Sequence, residues 1–224
     1  GADGNMIVTP YYNKPTQAGI LTHFRLVADA TDLPVILYDI PGRTGVPIKY
    51  ETILRASKHP NIIAVKDAKG DLAEVSRVLN QTDLYYFCGD DALVLPSLAI
   101  GATGLIGVTA NIAATPYRHI VDAVNAGDLA AATAAHKALE PLVRATMTHV
   151  PGTVATKYIL HGLGCISSPR VRLPLVGPEE WEAAQIEDEI DLVKDIAGVS
   201  FDNFRPDRNA AAGGALPKVA GTTR

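Results

Sequence analysis

Five short apolar runs in the first half of the chain constrain its fold more than any other feature. They span residues 5–8, 34–38, 62–66, 84–88 and 104–109. Several lack the apolar–polar alternation of a half-exposed strand, which is the pattern of strands covered on both faces. Between them lie segments of helical period at 16–31, 49–58, 71–81 and 91–100; in the first, Leu21, Phe24, Val27 and Ala28 fall on one face. Alternating β and α segments predict one parallel sheet with right-handed connections. In such folds, ligands bind beyond the C-terminal ends of the strands.

Those ends carry the residues with chemistry. Lys66 closes the run Asn61-Ile62-Ile63-Ala64-Val65 and precedes Asp67-Ala68-Lys69-Gly70-Asp71. An amine at the mouth of a buried strand is partly desolvated, so more of it is neutral and able to attack a carbonyl. Lys66 is therefore a Schiff-base candidate, although a lysine after a strand is more often a solvated surface group. The other strand ends read Thr9-Pro10-Tyr11-Tyr12, Tyr38-Asp39-Ile40-Pro41-Gly42-Arg43, Gly89-Asp90-Asp91 and Thr109-Ala110-Asn111.

Composition excludes several classes of function. With 224 residues, 47% hydrophobic and 20% charged, the chain suits a soluble α/β domain with a sizeable core. A net charge of −4 offers no basic face for nucleic acid, and no apolar stretch approaches the ~20 residues of a membrane helix. Neither nucleic acid nor membrane is expected as a partner. Cys88 and Cys165 lie far apart, with no histidine spacing typical of zinc, so neither a disulfide framework nor a metal site is expected and the cytoplasm is the natural compartment. Asp90-Asp91 reads as a helix cap rather than a metal site. No Gly-rich phosphate loop follows the first strand, which argues against a nucleotide-binding domain.

The expected organisation is a barrel portion over 1–115, a helical domain over 116–197 and a flexible tail over 198–224. In the second part, 116–125, 129–148 and 153–163 have helical period, with Gly127-Asp128 as a stop and restart. Gly177-Pro178-Glu179-Glu180-Trp181 opens a further helix with acids in its first turn. The end of the tail, 209–224, is rich in Ala, Gly, Pro and Thr with few large apolar groups.

Taken together, Thr9-Pro10-Tyr11-Tyr12-Asn13-Lys14-Pro15, Leu37-Tyr38-Asp39-Ile40-Pro41-Gly42-Arg43-Thr44-Gly45, Val65-Lys66-Asp67-Ala68, Cys88-Gly89-Asp90-Asp91 and Gly104-Leu105-Ile106-Gly107-Val108 resemble, in order and spacing, the motifs of the 4-hydroxy-tetrahydrodipicolinate (dihydrodipicolinate) synthase family. The resemblance covers about residues 1–190. It implies a (β/α)₈ TIM barrel of the class I aldolase type with a C-terminal helical domain. The implied reaction condenses pyruvate with aspartate semialdehyde in lysine and diaminopimelate synthesis, with no cofactor or metal beyond the imine itself.

The resemblance also implies roles. Lys66 would form the imine with pyruvate, and Tyr38 would relay protons beside it. Arg43 would hold the carboxylate of the aldehyde substrate, which suits a planar guanidinium. Ile106 would contact pyruvate through its main chain. Tyr12 would be lent across a subunit interface into a neighbour's site, with Tyr11 near the same interface, so a homodimer or homotetramer is expected. The family's first three barrel strands, with the Gly-Thr-Thr-Gly-Glu loop that binds the pyruvate carboxylate, have no counterpart here. The chain is thus expected to be a version truncated at the N-terminus, with strands 4 to 8 present. Two alternatives stay open at this level: another pyruvate-dependent aldolase, of the N-acetylneuraminate lyase or keto-sugar-acid type, and a non-catalytic remnant acting as a binding module.

Overall fold

The computed structural model describes residues 1–193, 196 and 198–208. Two compact units divide the chain, Gly1–Gly107 and Val108 onward.

The first unit is built on a five-stranded parallel sheet in the order β1-β2-β3-β4-β5: β1 Asn5–Val8, β2 Val35–Asp39, β3 Ile62–Asp67, β4 Tyr85–Cys88 and β5 Gly104–Leu105. Every strand pairs with the next in sequence, the order a singly wound barrel requires. Helices α1 Gln17–Asp29, α3 Tyr50–Ala56, α4 Leu72–Leu79 and α5 Val94–Ala99 fill the crossovers, and α2 Pro41–Thr44 is a single turn after β2.

One face of the sheet makes the core. Val35, Leu37, Val65 and Tyr86 pack with Ile20, Leu21, Phe24 and Ala28 of α1, Ile53 of α3, and Val75 and Val78 of α4. Each large side chain buried here contributes about 1.5–3 kcal/mol through removal of apolar area from water. Alternation along β2 sends Val35, Leu37 and Asp39 into this layer and Ile36 and Tyr38 to the other face, where they are half-buried. On β3 a register shift between Val35 and Ile36 reconciles Ile62 and Val65 with the same core.

Local chemistry sets the helix starts. Thr16 caps α1 by accepting from Gly19 N–H, and Asp71 caps α4 by accepting from Glu74 N–H. The sequence predicts neither α2 nor its ending: Gly45, at φ +79°, takes the left-handed conformation that stops this turn. The last apolar run is shorter as a strand than 104–109 suggests, because pairing ends at Leu105 and Thr109 already precedes a helix.

The second unit is helical, with α6 Ala110–Asn125, α7 Leu129–Met147, α8 Gly152–Gly162 and α9 Glu180–Asp191. The unit boundary falls between Gly107 and Val108, ahead of the division after residue 115 expected from sequence. The non-helical backbone of Ala113 (φ −122°, ψ 45°) breaks α6 shortly ahead of Pro116, where the sequence places the helix start. Gly127, at φ +76°, and Asp128, which accepts from Ala131 N–H, form the expected stop and restart. Glu179 and Glu182 form a reciprocal capping box at α9. Of the tail expected over 198–224, residues 209–224 lie outside the described residues. In the described part, Phe204 meets Tyr158 edge-on, Arg205 N–H donates to Gly162 O at 2.8 Å, and Arg208 pairs with Glu187 at 2.5 Å. Among the described residues no helix is long and apolar enough to cross a membrane.

Candidate active site

Parallel pairing decides which strand-end residues meet. Tyr38 on β2 lies directly across from Lys66 on β3, which in turn lies across from Phe87 on β4. Both Tyr38 and Lys66 project from the face opposite the helices. The Lys66 ammonium nitrogen sits 4.0 Å from the centre of the Tyr38 ring.

Two effects compete at this amine. Contact with the ring face favours the charged form by about 0.5–2 kcal/mol. Desolvation favours the neutral form, and it dominates: burial lowers the Lys66 pKa, while the carboxylate of Asp91 opposes the shift. Tyr38 moves the other way. Burial raises its phenol pKa, and the nearby Arg43 guanidinium partly offsets this. A neutral-prone amine beside a phenol that keeps its proton is a nucleophile with a proton donor at hand.

The remaining candidates surround this pair to different degrees. Arg43 is exposed on α2, within electrostatic range of Tyr38. Ile106 continues the ladder beyond β5, its N–H donating to Cys88 O at 2.9 Å. Tyr12 and Tyr11 follow β1 and are 93% and 68% exposed; Tyr12 holds a left-handed backbone at φ +68°, unusual for a bulky residue. Neither ring is covered by its own unit.

Sequence reasoning missed the groups behind the pair. Asp39 and Asp67 each follow a candidate residue and point to the opposite face, where both are buried. Lys69 Nζ lies 3.2 Å from Asp39 Oδ2 and 2.5 Å from Glu74 Oε1. Asp67 accepts from the N–H groups of Lys69 at 2.7 Å and Gly70 at 3.1 Å, and from the Tyr86 hydroxyl at 2.5 Å. The signal for this network was the period of two itself, which sends residues adjacent to Tyr38 and Lys66 inward. Asp90 caps the following turn, accepting from Ala92 N–H at 3.0 Å, as read from sequence, whereas Asp91 is buried.

Known proteins fix the family. A profile of the dihydrodipicolinate synthetase family matches residues 1–192. The chain belongs to that family. It is 52% identical over 185 residues to 4-hydroxy-tetrahydrodipicolinate synthase of Kineococcus radiotolerans, covering 82% of this chain and 60% of that protein. It is 46% identical over 204 residues to the enzyme of the same name from Acidothermus cellulolyticus, covering 91% and 64% respectively. Among solved structures, the 4-hydroxy-tetrahydrodipicolinate synthase of Methylacidiphilum fumariolicum SolV superimposes with a TM-score of 0.83 at 33% identity, covering 88% of this chain and 66% of that one. The chain therefore spans about 60% of the length of the first of these relatives. As a dihydrodipicolinate synthetase family member it has the α/β barrel architecture expected from its motifs, here as five successive parallel strands with their helices.

Proposed function

We propose that this protein acts as a 4-hydroxy-tetrahydrodipicolinate synthase, condensing pyruvate with L-aspartate 4-semialdehyde through an imine on Lys66. The observation that carries the proposal is the desolvated Lys66 amine 4.0 Å from the Tyr38 ring, in a chain 52% identical to a protein of that name.

The steps follow from the chemistry of the groups. The neutral amine of Lys66 adds to the keto carbon of pyruvate, and loss of one water gives the imine. The imine acidifies the methyl group, whose proton leaves to form an enamine. The enamine carbon attacks the aldehyde carbon of the semialdehyde, and the oxygen formed there takes up a proton. The substrate's own amine then displaces Lys66 from the imine carbon, which closes the ring and frees the lysine. One water is released overall, and no oxidant or reductant is consumed.

Each candidate takes a role in this scheme. Tyr38 relays protons beside the imine, as the enamine forms and as the new hydroxyl is made. Arg43 pairs with the semialdehyde carboxylate, and the exposed position of α2 leaves its guanidinium available. The main chain at Ile106 faces bound pyruvate. Tyr12, bare of cover in its own unit, serves the site of a second copy, so the active form is a homodimer or homotetramer. The covalent group is the imine alone, and the cytoplasm supplies both substrates. Sugar-acid aldolase activity has less support, because the relatives at 46–52% identity carry the synthase name and Arg43 suits a small carboxylated aldehyde.

The test is to incubate the protein with pyruvate, reduce with borohydride and map any adduct by peptide mass. One reduced pyruvate on Lys66 is expected. An unmodified Lys66, or an adduct spread over surface lysines, would overturn the assignment.

A further inference from the structure

The buried polar network behind the sheet is expensive. Taking Asp39, Asp67, Lys69 and Glu74 out of water costs several kcal/mol per ion before their mutual attraction is counted, and apolar residues of similar volume often do as well or better. Two carboxylates, those of Asp39 and Glu74, share the Lys69 ammonium, and that of Asp67 lies nearby on the backbone N–H of the same residue. Among the described residues, Asp39 Oδ2 is buried with no hydrogen-bond partner and lies in ion-pair range of Lys69 at 3.2 Å. Stability alone does not explain such an arrangement.

Its geometry does. Tyr38 and Lys66 are in register, and so are Asp39 and Asp67, the residues that immediately follow them. Each of those acids is fixed at both ends. Asp39 accepts from Ile48 N–H at 3.1 Å through its side chain, and its carbonyl accepts from Ala68 N–H at 2.8 Å. Asp67 is held by Tyr86 and the 69–70 turn through its side chain, and its carbonyl accepts from Gly89 N–H at 2.7 Å. Lys69 closes the circuit by donating to Ile48 O at 3.3 Å and Glu74 at 2.5 Å. Asp91 supplies a charge that opposes the lowered Lys66 pKa, while the network reaches Lys66 through the strand ends that it fixes.

We infer that Asp39, Asp67, Lys69 and Tyr86 form a clamp on the helix side of the sheet that holds the ends of β2 and β3 in register and thereby keeps Lys66 against Tyr38. They are positioning residues for the imine chemistry, so the inference rests on the function proposed above. Releasing the clamp lets the strand ends drift and water reach the amine. Misplacement of a reacting group by about 1 Å can cost a hundredfold in rate.

The experiment measures Lys66 with and without substrate. Trace acetic anhydride labels amines in their neutral form, so the extent of Lys66 acetylation against pH, read by peptide mass, reports its environment without pyruvate. Pyruvate trapping with borohydride reports its reactivity. Tyr86→Phe removes one hydroxyl and keeps the ring, Lys69→Met removes the cation, Lys69→Arg preserves it, and Val78→Ala is a control buried in the same core but outside the clamp. With Tyr86→Phe and Lys69→Met, the acetylation midpoint of Lys66 is expected to rise towards that of an exposed lysine. Trapping at saturating pyruvate should fall about ten- to a hundredfold, while Lys69→Arg stays near wild type and Val78→Ala leaves the midpoint in place. The clamp is refuted if Tyr86→Phe keeps the wild-type midpoint, or if Val78→Ala, at equal loss of melting temperature, moves it as far. Should Lys69→Met not fold, Tyr86→Phe against Val78→Ala still decides. A wild-type protein that forms no adduct would sink the functional reading, while the acetylation profile would still decide the clamp.

Discussion

Asp39 and Asp67 are in register on neighbouring strands, one residue past Tyr38 and Lys66, and turn their carboxylates to the face opposite the reactive pair. The C-terminal edge of this sheet is thus two-sided, with a partly desolvated amine and phenol on one face and a buried ionic network on the other.

Burial pushes the Asp39 carboxyl up to about 6, against the opposing pull of Lys69 and the Ile48 N–H. A carboxyl that is harder to ionise when folded contributes stability that is full below its unfolded value near 4 and lost as pH rises through 6. Asp39→Asn keeps an acceptor for Ile48 but cannot ionise. Its unfolding free energy minus that of wild type should therefore increase by about 1–3 kcal/mol between pH 4 and pH 7. Urea unfolding of both proteins across that range checks this; a flat difference would contradict it.

Lys66→Ala should abolish the reduced pyruvate adduct entirely. The side chain is half-buried over the Tyr38 ring on the face away from the helices, so melting temperature should change by only a few degrees. Intact mass after borohydride, together with a thermal scan, reads both.

Tyr38→Phe keeps the ring beneath the amine and removes only the hydroxyl. Imine formation should persist within a few-fold, while turnover with aspartate semialdehyde in an active assembly drops about 10²–10⁴-fold. Equal losses in both steps would show that the hydroxyl is needed before the imine forms.

Arg43→Lys retains charge but not the planar fork. Pyruvate trapping should be unchanged and the KM for the aldehyde should rise about tenfold or more. A change confined to pyruvate would move Arg43 to the other substrate.

A methyl group on Gly107 would lie 2.5 Å from Asp91 Oδ1, and Asp91 is buried with little room to yield. Gly107→Ala should cost about 1–3 kcal/mol of stability. It should also disturb Lys66, because Asp91 supplies the charge that opposes its lowered pKa. Denaturant unfolding and the acetylation profile of Lys66 measure the two effects.

The strands were legible because short apolar runs such as Ile62-Ile63-Ala64-Val65, bounded by polar turn residues, alternate with longer segments of helical period. The Lys66–Tyr38 pair was legible as motifs, but their contact depends on a register that a bulge at β3 adjusts, and no local pattern encodes that. Lys69 escaped notice because it stands in a turn, where lysines are usually solvated; its buried carboxylate partner, Asp39, lies at the end of β2. Likewise α2 depends on one glycine at positive φ, and the break at Ala113 has no sequence mark apart from the proline that follows.

Strand order carries one further consequence, for assembly. Each strand pairs with the next in the chain, so every ladder joins segments separated by a single crossover. Loop-closure entropy is then met in small instalments, and the sheet can lengthen one β/α step at a time. Lys66 sits on β3 and takes its neighbours only from β2 and β4. The strand pairing around the amine is in place once Cys88 has joined the sheet, and Asp91, whose charge opposes the lowered Lys66 pKa, follows just after it in the chain.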